Sequence, residues 1–394
     1  MSVRKRKWKT SKGDERQAWV VDYIDRDGHR HIETFETKKK ADEQHAEVNV
    51  SVSAGLHVAR SKSKTIREAG EAWIAAAKNR DPDDGLLERS TIAQYEQHLW
   101  LHIDPLIGAM KLSDLTVPAV HAFVDRLRKK ETSPAMRRKI LTSLGTLIAE
   151  SQSLGWCAHN PVRELGKSRR AKKSHQSKKR HKRQLEVGVD IPTPEEVKAI
   201  IEKAKGRWRP LLITAIFTGL RASELRGLRW KDVDLKAGKL HVRQRADRFY
   251  EIGDPKSDAG KRTVPFGPFV TNTLREWKLT CPKGEKDLVF PNSKGEIEAH
   301  ASIIRRGLIP AQIAARVVTP EGEAKYTGLH ALRHFYASWC INPIKDGGLG
   351  LPGKVVQTRL GHSSITITMD TYSHLFPSGD DAKELATAEK ALLG

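Results

Sequence analysis

The chain has 394 residues, 38% of them hydrophobic, and a mean hydropathy of -0.55, which predicts two or three domains and offers no apolar run near the roughly 20 residues that span a bilayer. Three widely spaced cysteines, Cys157, Cys281 and Cys340, exclude a disulfide scaffold or a cysteine-rich zinc site and fit a reducing compartment. Lysine and arginine total 70 against 48 acids, a formal charge of +22, and such an excess without a hydrophobic anchor favours nucleic acid over an acidic membrane surface as partner.

The amino terminus is a basic arm, Arg4 to Lys12, with no apolar stretch behind it, so a secretory signal is not expected. Trp19, Val21 and Tyr23 then alternate, Asp27-Gly28 offers a two-residue hairpin turn, and Ile32 to Phe35 returns. Lys38 to Val50 reads as a short, weakly amphipathic helix, closing a sheet-plus-helix unit over residues 1–58. Residues 62–165 read as helical. Ile66, Ala69, Gly70, Trp73, Ile74 and Ala77 repeat with the spacing of one buried helix face. Ser90 is a candidate cap for the next helix, Pro118 follows Thr116 in the first turn of a third, and Ser133-Pro134 caps a fourth carrying the stripe Ile140, Leu141, Leu144, Leu147 and Ile148.

Residues 166–183 hold ten lysines and arginines in eighteen positions and no acid. Self-repulsion and the lack of apolar side chains predict an extended linker, drawn here over 166–187, that gains affinity by counterion release when it lies along phosphates. A nuclear localisation signal at Lys178-Lys179-Arg180 is the competing reading. Thr193-Pro194-Glu195-Glu196 combines a capping box with proline in the first turn and opens the last domain, residues 188–394. There, a helix from Pro210 to Thr218 stops at Gly219. Lys239 to Arg245 and Arg262 to Phe266 read as strands around a polar turn, and an amphipathic helix runs from Ala382 to Leu393.

Four islands in this domain carry chemistry: Thr218-Gly219-Leu220-Arg221-Ala222-Ser223-Glu224-Leu225, Pro255-Lys256-Ser257 with Arg262-Thr263-Val264-Pro265 on the returning strand, Leu329-His330-Ala331-Leu332-Arg333-His334, and Leu360-Gly361-His362-Ser363-Ser364 followed by Tyr372. Two arginines, a lysine, two histidines and a tyrosine, without a cluster of acids for a metal, suit attack on a phosphodiester. Always-protonated guanidinium groups compensate the charge that builds on the non-bridging oxygens, a hydroxyl attacks, and a lysine protonates the departing oxygen. Each residue alone is more often structural. His330 and His334 share the spacing of a zinc helix, but Ala331 stands where the HExxH pattern needs glutamate. Gly348 to Lys354 imitates a phosphate loop, but Val355 replaces the hydroxyl that would hold magnesium. Only the joint occurrence of the six, in order, outweighs the structural alternative.

That order resembles the tyrosine recombinase family, most closely its phage-type integrases; the resemblance covers about residues 188–380, and more loosely the regions before. It implies a mainly α chain with small β elements: an arm-type DNA-binding unit over 1–58, a helical core-type DNA-binding domain over 62–165 and a mixed α+β catalytic domain. It further implies that Arg221 and Arg333 clamp the scissile phosphate and Lys256 protonates the leaving oxygen. His330 would exchange a proton with the tyrosine, His362 would hydrogen-bond the phosphate, Tyr372 would form a 3′-phosphotyrosyl bond, and Glu224 would support the site. No cofactor or metal is implied. The implied partners are double-stranded DNA at core and arm sites and three further copies in a homotetramer, with DNA-bending or directionality proteins as possible accessories and no membrane. The place of action would be the cytoplasm, at the nucleoid. A type IB topoisomerase and a non-catalytic DNA-binding regulator are the alternatives. The glycine-rich stretch 342–352 has no assigned role.

Overall fold

The computed structural model describes residues 2–9, 15–24, 30–53, 63–80, 87–165, 184–376 and 382–393. The chain forms two compact units, Met1–Lys179 and Arg180–Gly394. The Asp27-Gly28 turn and the basic run 166–183 lie outside the described residues.

The first unit begins with an antiparallel sheet in the order β1 (Ser2–Lys9), β2 (Glu15–Ile24), β3 (Arg30–Phe35). Thus most of the basic arm is a strand, paired from Ser2 with Asp22 to Lys9 with Glu15. Its lysines and arginines conceal this, because backbone pairing to the central strand needs no apolar alternation in the edge strand. Asp22 draws two of the arginines to the sheet, Arg4 at 3.0 Å and Arg30 at 2.5 Å. Helix Lys38–Ser53 contributes Ala41 and Val48 to a small core with Val21 and Tyr23.

A second core in this unit is helical. Thr65 and Glu68 form a reciprocal capping box on helix Ile66–Lys78, whose six expected core positions are all buried. Thr116 caps helix Val117–Lys129 and Ser133 caps helix Pro134–Ser153, both through side-chain oxygens. Ser90 is not a cap: helix Arg89–His98 has its N-cap two residues earlier, at Glu88, whose side chain makes no capping bond. That helix continues through a π-helical stretch, Leu99–Ile103, into Asp104–Ile107. In the other unit Ile303–Leu308 is likewise π-helical and runs into Ile309–Ala314. Each stretch immediately precedes a proline at the second position of the next segment, Pro105 or Pro310. A proline ring inside a continuing helix clashes with the preceding turn and lacks an N–H, and a locally widened turn accommodates both defects.

The second unit opens with helix Pro194–Lys203, capped by Thr193 and Glu196 as its sequence predicts. Helix Trp208–Thr218 is apolar on nearly every face and correspondingly buried. A sheet in the order β4 (Val233–Asp234), β5 (Lys239–Val242), β8 (Arg262–Pro265) pairs Leu240 with Val264. The expected strand to Arg245 is interrupted: Arg245–Ala246 (β6) leaves that sheet to pair with Ile252–Gly253 (β7). Helices Pro268–Thr280, His330–Ile341, Gly353–Leu360 and Ile365–Tyr372 complete the arrangement around the site, and Ala382–Leu393 follows. The glycine-rich stretch caps the end of helix His330–Ile341. Amides of Leu349 and Leu351 donate to the carbonyls of Trp339 and Cys340, and the Trp339 indole donates to Gly347. Among the described residues no helix is long and apolar enough to cross a membrane.

Candidate active site

The site grows from the end of helix Trp208–Thr218. Gly219 stops it in the left-handed region, at φ 61°, and a Cβ there would also stand 2.3 Å from the Tyr336 ring. Two residues on, Arg221 takes the N-cap position of helix Ala222–Gly227, and Glu224 reaches back to its backbone N–H at 2.8 Å.

Glu224 is 3% exposed and is held by two guanidinium groups. Arg221 Nη1 donates to its Oε1 at 2.7 Å, while Arg262 grips both oxygens, at 3.1 and 2.8 Å. Burial by itself would raise this carboxyl, but the hydrogen bonds and charge of Arg262, with the charge of Arg221 behind them, hold it at about 2. Glu224 is therefore ionised across the physiological range and fixes the plane of Arg221.

Arg262 also donates to the carbonyls of Arg359, at 2.8 Å, and Gly260, at 3.0 Å. It thereby joins the turn before β8, the Arg221 helix and the segment leading to His362. The sequence places Arg262 on the strand returning from the Lys256 turn, with no role assigned to it. The available signal was its period: Arg262 and Val264 alternate with exposed Thr263 and Pro265, so a charge occupies the inward face of the strand.

Arg333, 2% exposed, is held by carbonyls from two other segments: Gly219 at 2.6 Å and Leu360 at 2.5 Å. Burial and the neighbouring Arg221 lower it to about 9, with Glu224 pulling the other way. Arg221 makes the same kind of contact, to the Gly361 carbonyl at 3.0 Å. Gly361 has φ 66°, and a Cβ there would approach Arg262 Nη1 to 2.8 Å.

Tyr372, at the end of helix Ile365–Tyr372, is 2% exposed. Its hydroxyl lies 2.7 Å from Nδ1 of His334. Burial raises the phenol to about 12, against the opposing charges of Arg333 and Arg221. The ring lies nearly parallel to that of His362, at 7° and 6.5 Å between centroids, and His362 Nδ1 meets the Thr368 hydroxyl at 2.9 Å. Burial, followed by Arg333 and Arg221, lowers His362 to about 4. His330 is exposed, with its ring edge-on to His334 at 5.0 Å.

Of the seven residues singled out in the sequence, Arg221, Glu224, His330, Arg333, His362 and Tyr372 thus share one network of contacts. Lys256 stands apart: it is exposed in the turn before Asp258–Gly260, with no hydrogen bond or ion pair among the described residues. His334, not among the seven, is the residue in contact with the tyrosine hydroxyl.

The structure thus gathers a buried tyrosine, two anchored arginines and three histidines in one place. Residues 192–378 match the sequence model of the phage integrase family. By that match this part of the chain is similar to the tyrosine recombinase family. Members of that family cleave DNA strands and transfer them. A XerC-like tyrosine recombinase of Caldanaerobacter subterraneus subsp. tengcongensis is 26% identical over 376 residues, 86% of this chain and 87% of that protein. Tyrosine recombinase XerC of Xylella fastidiosa is 38% identical over 170 residues, which covers 43% of this chain and 49% of the relative. Among solved structures, the Tn1549 transposon integrase in complex with transposon right end DNA superposes with a TM-score of 0.60 at 19% identity, covering 84% of this chain and 99% of that one. A lambda integrase from a tetramer bound to a Holliday junction gives 0.56 at 18% identity, over 91% and 96%. At these identities the structural matches establish the fold of this chain, mostly helical with small sheets.

Proposed function

We propose that this chain is a tyrosine recombinase, an integrase that inserts, and also excises, the DNA of a phage or other mobile element through a 3′-phosphotyrosyl intermediate. The observation that carries the reading is that the Tyr372 hydroxyl, bonded to His334 next to Arg333 in the chain, lies within the field of Arg333 and Arg221. A phosphodiester seated between the arginines presents its phosphorus to that oxygen, and their remaining N–H groups bind the non-bridging oxygens. With Nδ1 of His362 occupied by Thr368, its Nε2–H is left to donate to the phosphate. His330 joins the acid–base set on the exposed side, and Lys256 swings onto the 5′-oxygen to protonate it as it leaves. The bond energy is kept in the phosphotyrosyl ester, so a 5′-hydroxyl from another strand reverses the step.

In this reading residues 188–394 cut core sites, residues 62–165 bind the same core DNA, and the basic residues 166–187 bind its phosphates. Residues 1–58 hold arm sites, adding affinity through effective concentration. Four copies assemble on two duplexes, with DNA-bending or directionality proteins assisting, in the cytoplasm at the nucleoid. The charge of +22 supports a DNA partner.

The test is a nicked suicide substrate that traps covalent protein–DNA adducts. The Tyr372→Phe variant is expected to form none while still shifting core-site DNA; adducts formed by that variant overturn the nucleophile assignment. Strand exchange between two attachment-site duplexes then separates an integrase, which yields recombinants, from a topoisomerase, which yields relaxed circles.

A further inference from the structure

We infer that His334, and not His330, is the group that takes the phenolic proton as Tyr372 attacks. This rests on the recombinase chemistry proposed above and assigns one of its proton steps to a different side chain. Nδ1 of His334 lies 2.7 Å from the Tyr372 oxygen, and among the described residues this is the only hydrogen bond that hydroxyl makes. His330, one helical turn earlier, meets the ring of His334 instead of the phenol.

The direction of the bond follows from the donor inventory. A phenol kept protonated by burial has one proton to give, and a neutral imidazole has one nitrogen free to accept it. The phenol therefore donates to Nδ1, and His334 carries its own proton on Nε2. The resting contact already lies along the path of transfer. Position is equally well determined: His334 follows Arg333, whose guanidinium is tied to the carbonyls of Gly219 and Leu360.

The charged and titratable groups facing His334 are His330 and Arg333 on its own helix, Asp190 from the segment before helix Pro194–Lys203, and Tyr372 itself. Burial lowers His334 to about 4, His330 and Arg333 add to this, and Asp190 opposes it. At rest, then, the proton stays on oxygen. A phosphodiester drawn against Arg333 cancels part of the positive charge that disfavours an imidazolium. The phenolate charge that the same arginine favours is drawn off into the forming P–O bond. Transfer thus becomes favourable only with DNA seated.

In the step, the Tyr372 O–H bond breaks and its proton passes to Nδ1. The phenolic oxygen forms a bond to phosphorus, and the 5′-oxygen departs with its electron pair and takes a proton from Lys256. On rejoining, the incoming 5′-hydroxyl gives a proton to Lys256, and the departing phenolate recovers its own from His334.

The experiment compares wild type, His334→Asn and His334→Phe on the suicide substrate, following single-turnover adduct formation from about pH 6 to about pH 9. Asparagine sets an amide oxygen near the place of Nδ1, so it holds the hydroxyl without taking the proton. Both variants are expected to lose about 100-fold or more in rate at neutral pH, with the deficit narrowing as hydroxide replaces the missing base. Core-site affinity is expected to stay unchanged. An asparagine variant at the wild-type rate or above, or a deficit equal at every pH, overturns the proposal, because the contact then only positions or parks the tyrosine. If the phenylalanine variant does not fold, the asparagine variant carries the test. Tyr372→Phe run alongside keeps the two readings apart: adducts from that variant sink the recombinase reading whatever His334 does.

Discussion

The arginine side of the site and the Lys256 turn are built on opposite principles. Arg221, Arg262 and Arg333 are held by Glu224 and by backbone carbonyls of Gly219, Gly260, Arg359, Leu360 and Gly361. Lys256 is exposed and has no partner among the described residues. On the proposed mechanism the difference follows from the two tasks. Electrostatic stabilisation works best when the charges need no reorganisation at the moment of reaction, so the cradle is fixed before substrate arrives. A general acid must lose its proton and regain it, and an ion pair in the resting protein would hold the ammonium away from that work.

The largest test of this contrast is Arg262→Met. It leaves Glu224 buried with one partner gone, and breaking a buried pair from one side costs about 3–5 kcal/mol. The expected result is a strongly lowered urea midpoint for the second unit together with loss of adduct formation. A variant of unchanged midpoint would mean that Arg262 is not the tie joining the three segments. Lys256→Ala should do the reverse, lowering single-turnover cleavage by about 100-fold to 10,000-fold with the midpoint unchanged. A substrate with sulfur in place of the bridging 5′-oxygen should restore its rate, since a thiolate leaves without a proton. No recovery with sulfur would remove Lys256 from the role of acid. The smallest effect concerns acid. Because Glu224 is depressed to about 2 in the folded chain, its contribution to stability is complete above its ordinary range and is lost as pH falls through about 2. Glu224→Gln should therefore flatten the dependence of the urea midpoint on pH in that window. A slope equal to wild type would show that Arg221 and Arg262 do not hold the carboxylate as described.

Local rules reached much of this molecule. The buried stripe from Ile66 to Ala77, the capping box of Thr193 and Glu196 and the stop at Gly219 are each settled by a few neighbouring residues, and each is found as expected. Five of the six patterned residues, all but Lys256, lie together in the fold, although they are scattered along the chain. What the sequence concealed depends on distant partners. β1 is a strand only because β2 lies beside it. The π-helical stretches come from a single proline within a helix that otherwise continues. His334 looked like the fourth position after His330 in a failed zinc pattern, and its contact is 38 residues away in the chain.

That distance has a consequence for synthesis. The bonds that shape the cradle join residues far apart: Arg333 to Gly219 spans 114 positions and Arg221 to Gly361 spans 140. A growing chain on the ribosome has released its first arginine long before the carbonyl that orients it exists, and the tyrosine emerges later still. The cradle around Arg221 and Arg333 therefore cannot close until residue 361 has been made, 140 positions after Arg221.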